Sequence, residues 1–111
     1  MTGEIAVGEL RHRVRLQALA LTPDGGGGYT ESWSDLAEIW ARVRPLAGVE
    51  LTLGEQRQHR VTHEVIIRYR LGIQPGQHLI YDGRALYILG IVNADERNAF
   101  LALHCEERAT P

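Results

Sequence analysis

Apolar and polar residues alternate along most of this chain, and the alternation predicts strands. His12, Val14, Leu16 and Ala18 share one face while Arg13, Arg15 and Gln17 share the other, the period-two pattern of a half-buried strand. Thr22-Pro23-Asp24 and the run Gly25 to Gly28 break that pattern, so an exposed, mobile loop is expected to about Ser32. Ala37, Ile39, Ala41 and Val43 then alternate with Glu38, Trp40, Arg42 and Arg44, a second strand that Pro45 ends. From Gly48 to His59 the pattern loosens. Val49, Leu51 and Leu53 alternate, yet Leu53, Gln56 and Arg57 suit a helix, and a brief helix is the expectation. Val61, His63, Val65, Ile67, Tyr69 and Leu71 line one face of the clearest strand, opposite Thr62, Glu64, Ile66, Arg68 and Arg70.

Pro75-Gly76 turns the chain. Leu79-Ile80-Tyr81 and Ala85 to Val92 flank Asp82-Gly83, a hairpin signal because both turn residues tolerate positive φ. Asp95-Glu96-Arg97-Asn98 makes another turn before a last strand, Phe100 to Cys105. The fold class is therefore all-β: a small antiparallel β-barrel of about six strands, with a long glycine-rich loop and one short helix or loop insertion between strands two and three. A barrel is favoured over an open sheet because closure removes exposed edges. At 111 residues, 1–111 is expected to form one domain, large enough for one core.

Composition narrows the function classes. A formal charge of -2 gives no global attraction to DNA or anionic lipid. All twelve basic residues are Arg, which fits a GC-rich genome as well as a preference for forked, bidentate contacts. Cys105 is alone, so no intrachain disulfide and no paired-cysteine metal site is expected, and the chain suits a reducing compartment. The first twenty residues contain no apolar signal core and no run is long enough to cross a bilayer, which predicts a protein made and kept in the cytoplasm, away from membranes.

Candidate chemistry is sparse. Gly25 to Gly28 lacks the Lys and Ser or Thr of a phosphate loop. His59 and His63 have helical zinc spacing, but Arg60 stands where a metalloprotease has its base, and His63 falls in a strand pattern. Ser32 and Ser34 sit in no nucleophile elbow, and Cys105 reads as buried packing. No catalytic residue, metal ligand or cofactor is expected. Arg42, Arg44, Arg68 and Arg70 read as strand-face charges paired in part by Glu38 and Glu64, and Trp33 and Trp40 as core or interface filling. The polar excess of Glu50, Glu55, Gln56, Arg57, Gln58, His59 and Arg60 exceeds what a core requires and marks a contact segment.

Taken in order, Arg11-His12-Arg13-Val14-Arg15-Leu16-Gln17, the glycine run leading to Trp33, and Ile39-Trp40-Ala41-Arg42-Val43-Arg44-Pro45-Leu46-Ala47-Gly48-Val49-Glu50 resemble tailed-phage head-tail joining proteins, also called head-closure or stopper proteins. Thr62 to Arg70, Tyr81-Asp82-Gly83-Arg84, Ala94 to Asn98 and Cys105-Glu106-Glu107 continue the likeness over nearly the whole chain. Gene transfer agents and prophages have similar proteins. The resemblance implies a non-enzymatic homo-oligomeric ring in the virion neck, assembled in the bacterial cytoplasm. Such a ring lies between a portal adaptor and a tail terminator, and double-stranded DNA passes through its channel. It further implies that Ala47 to Arg60 reaches into the channel, with Glu50, Gln56, Arg57 and Arg60 lining or bracketing it. Gly25, Gly26, Gly27, Gly28 and Tyr29 would form a second partner-contact loop. The competing class is a single-stranded nucleic-acid-binding barrel, disfavoured by charge and by the scarcity of aromatic residues available for stacking.

Overall fold

Val14 and Leu16 are almost completely buried while Arg13 and Arg15 beside them are exposed, so the alternation in the sequence becomes the inside and outside of a sheet. The computed structural model describes residues 7–53 and 57–108, and side chains over 8–46 and 61–108. Six strands are present among these residues: β1 (His12–Pro23), β2 (Tyr29–Leu53), β3 (Arg57–Arg68), β4 (His78–Tyr81), β5 (Arg84–Asn93) and β6 (Phe100–Arg108). Single 3-10 turns at Val7–Glu9 and Ala94–Glu96 are the described helical elements.

The strands form a closed antiparallel barrel in the order β1-β2-β3-β6-β5-β4. Short β4 closes it, pairing Leu16 with Leu79 and Gln17 with His78. Inside lie Val14, Leu16, Ile39, Ala41, Val65, Ile67, Leu79, Leu86, Ile88, Leu101, Leu103 and Cys105, contributed by all six strands. Burying a large aliphatic side chain contributes about 1.5–3 kcal/mol, so this interior is the main source of stability. Asp82 and Gly83 both have positive φ, 52° and 75°, and form the expected two-residue turn between β4 and β5.

Three expectations require correction. The glycine loop is short: residues 29–32 belong to β2, and only 24–28 turn the chain. The aromatic and β-branched Tyr29, Thr30 and Trp33 prolong the ladder with β1. The helix expected between Gly48 and His59 is absent from the described backbone, where β2 runs to Leu53 and β3 begins at Arg57. There the alternation of Val49, Leu51 and Leu53 prevailed over helix propensity, because a partner strand lay within reach. Finally, β3 stops at Arg68, so Tyr69, Arg70 and Leu71 lie outside it, with Tyr69 N–H donating to Ala99 O at 2.8 Å.

Both ends of β2 outrun the barrel. Beyond the β1–β4 pairs, Leu19 to Pro23 pair only with Trp33 to Tyr29, making a two-stranded ribbon. At the other end, Val49 to Leu53 pair only with Val61 to Arg57, making a second. A straight strand of 25 residues would reach about 80 Å, whereas the longest molecular dimension is 52 Å. β2 therefore bends, and two register breaks mark the places. Leu36 has no partner between the Leu16–Ala37 and Gln17–Asp35 pairs. Leu46, Ala47 and Gly48 together oppose only Thr62, next to Pro45, which has no N–H to give the ladder.

Candidate functional site

The ribbon formed by β1 and β2 is closed by a carboxylate. Asp24 Oδ1 accepts N–H bonds from Gly26 at 2.8 Å and Gly28 at 3.1 Å, and Asp24 N–H donates to Gly28 O at 3.1 Å. Gly25 and Gly27 have φ of 84° and 88°, values that residues with a Cβ rarely adopt. Gly25, Gly26, Gly27, Gly28 and Tyr29 thus sit together at the tip of a defined hairpin, with Tyr29 65% exposed.

At the base of this ribbon the Trp33 indole lies flat on the buried His78 imidazole, and Tyr87 meets both rings edge-on. His78 Nε2 bonds to Gln17 Oε1, whose amide in turn donates to Asp35 at 2.6 Å. The Arg108 guanidinium covers Tyr87 at 4.5 Å. Burial lowers the His78 pKa, so the ring is held neutral inside the cluster. The expectation that Trp33 fills an interface or core is met. The cluster itself was not apparent in the sequence, because Trp33 on β2, His78 on β4 and Tyr87 on β5 are brought together by the β1–β2, β1–β4 and β4–β5 pairs. Two of the rings that a nucleic-acid stacking surface would use are therefore packed against each other.

In the second ribbon, Glu50 is the register partner of Arg60, and Leu53 of Arg57. Three of the four proposed channel residues are thus brought onto one two-stranded element, while Gln56 lies outside the described residues. The base of this ribbon is tied to β6 by Thr62, whose Oγ1 accepts the Glu107 N–H at 2.8 Å and lies 2.9 Å from His63 Nδ1. His63 is buried, and its pKa is lowered by burial first and by Arg84 second, against an opposing pull from Glu107. Because β3 is a strand, His59 and His63 lie far apart along it rather than on one helical turn. No cluster of three potential metal ligands occurs among the described residues.

The arginines sort into two groups. Glu64 binds both Arg44, at 2.9 Å, and Arg42, at 3.7 Å, and Arg42 also reaches Glu9 at 2.6 Å. Arg13 pairs with Glu38 at 2.7 Å and stacks on Trp40 at 4.8 Å. Pairs this exposed are worth about 0–1 kcal/mol each, so they shape surface charge more than stability. Arg68 and Arg70 have no ion-pair partner among the described residues and are exposed. Arg68 joins Leu10, Arg11 and Trp40 in lining a surface groove of about 450 Å³, another feature that only the fold assembles. Cys105 is fully buried, its thiol pushed up to about 12 by burial, which suppresses the nucleophilic thiolate.

The architecture recurs in solved structures. A chain from the virion of a native gene transfer agent particle superposes with a TM-score of 0.68 at 23% identity, covering 91% of this chain and 97% of its own, a likeness of fold. A protein from Shigella flexneri 2a, solved in solution, superposes with a TM-score of 0.70 at 29% identity, covering 96% of this chain and 100% of its own. No curated protein sequence matches. The family model described as phage head completion protein matches residues 5–108, from before β1 to the end of β6, and the chain belongs to that family of structural virion components.

Proposed function

We propose that the protein closes the head of a phage or phage-like particle as a homo-oligomeric ring in the neck. In this reading it joins a portal adaptor to a tail terminator, extends the DNA channel and retains the packaged double-stranded DNA. The observation that supports this most directly is the pair of ribbons extending from the two ends of β2, a shape suited to contacts with neighbouring copies and with adjoining neck proteins. Glu50, Gln56, Arg57 and Arg60 line or bracket the lumen, where arginine meets phosphate or a neighbour's carboxylate. Gly25 to Gly28 and Tyr29 contact the adaptor, the tail or a neighbouring subunit. Copies in a ring multiply modest contacts, so small movements of the second ribbon alter the lumen without any chemical step. Assembly takes place in the bacterial cytoplasm.

Charge reversal of Arg57 and Arg60 together tests the reading. The variant is expected to fold with an unchanged circular dichroism spectrum, while its particles lose packaged DNA or fail to join tails. Particles that keep their DNA and receive tails normally would remove these arginines from the lumen. Necks that lack the protein altogether would refute the placement.

A further inference from the structure

The stretch from residue 16 to residue 41 contains four carboxylates and no cation. It spans the first ribbon and the barrel parts of β1 and β2 next to it, and the ribbon's surface also exposes Leu19, Leu21 and Tyr29. Asp24 is engaged by the turn, and Asp35 and Glu38 are paired with Arg15 and Arg13. Glu31 is exposed, with no ion-pair partner among the described residues. The groove of Leu10 and half-exposed Trp40 has the opposite character, being rimmed by Arg11 and the unpaired Arg68. Beyond Arg68, Tyr69 and Leu71 add exposed apolar surface, Leu71 at 81%. An apolar groove rimmed by two arginines suits an apolar segment that carries a carboxylate.

We propose that the β1–β2 ribbon of one copy docks in the Trp40 groove of the next, an inference that rests on the ring reading and assigns its subunit interface. Tyr29, Leu21 and Leu19 supply the apolar contact, and Glu31 faces the arginine rim. A ribbon cannot fill its own groove, because Tyr29 stands eleven residues from Trp40 on one strand and the ladder with β1, which pairs Tyr29 with Pro23 and Trp40 with Arg13, holds the two apart. Donor and acceptor are different surfaces, so every copy gives one ribbon and receives another. Such a head-to-tail contact closes into a ring when its rotation allows.

The test mixes two single variants, Thr30→Cys and Arg70→Cys, at exposed positions beside Tyr29 and Arg68 that leave the contact residues themselves in place, under mild oxidation. It is run on the purified chain at concentrations followed by sedimentation and on particles assembled with it. Buried Cys105 does not compete for disulfide exchange. The expected result is mixed disulfides in excess of the share given by random pairing. Association is also expected to be lost in Glu31→Arg and in Arg68→Glu, and restored in the double variant with the charges exchanged. Oligomers that persist with random disulfides overturn this interface and leave the ring reading standing. A chain that stays monomeric in both settings overturns the ring reading, and the interface with it.

Discussion

The rings of Trp33 and His78 stack with centroids 3.7 Å apart and planes 15° from parallel, joining the first ribbon to the closing strand of the barrel. Trp40, by contrast, is 51% exposed, with the Arg13 guanidinium over its ring. Trp33→Ala should therefore cost roughly 3 kcal/mol, as for other large aromatic truncations. Trp40→Ala should cost under about 1 kcal/mol, the scale of an exposed cation–π contact. Equal losses in urea unfolding would show that the stack does not anchor the ribbon.

His63 and His78 both have pKa values lowered from 6.5 by burial. On acidification the unfolded chain takes up protons at these positions before the folded one does. Stability is thus complete above the ordinary value of 6.5 and is lost as pH falls towards the lowered folded values. Urea midpoints should decline below pH 6.5, and His78→Phe, which keeps a ring beneath Trp33, should flatten the decline. A slope unchanged in both His78→Phe and His63→Gln would exclude the buried imidazoles as its source.

Asp24→Ala removes the acceptor that Gly26 and Gly28 share. The expected loss is about 1–2 kcal/mol, with faster amide exchange confined to the ribbon tip. Gly27→Ala, forced to keep a φ of 88°, should destabilise by roughly 1 kcal/mol. Unaltered exchange at Gly26 and Gly28 in Asp24→Ala would show that the glycines hold the turn unaided.

Leu103 lies at 0% exposure within the barrel. Leu103→Ala should cost about 2–5 kcal/mol, a large part of the 5–15 kcal/mol typical of a domain. A loss below about 1 kcal/mol would mean that the neighbouring chains collapse into the space.

Where a strand buries one face, the sequence announced it. Val14, Leu16, Val65 and Ile67 alternate with charge, and Asp82-Gly83 could hardly be anything but a tight turn. The ribbons were harder to read. Leu53, Gln56 and Arg57 suit a helix as well as Val49, Leu51 and Leu53 suit a strand, and the glycine run hides the ladder that Tyr29 to Ser32 make with β1, so only the strand partner decides either segment. The groove of Leu10, Trp40 and Arg68 and the rings of Trp33, His78 and Tyr87 arise from strand neighbours distant in sequence, and no local period encodes them.

A mechanical property follows from β2 being one strand from Tyr29 to Leu53. Tension applied at either tip passes to the other along a single covalent backbone, without crossing a loop. The register breaks at Leu36 and at Leu46 to Gly48 interrupt its ladders, so these are the points where the fewest cross-strand bonds hold it. A pull on one end is thereby carried to the other through the strand itself, past these two breaks and along the closed barrel between them.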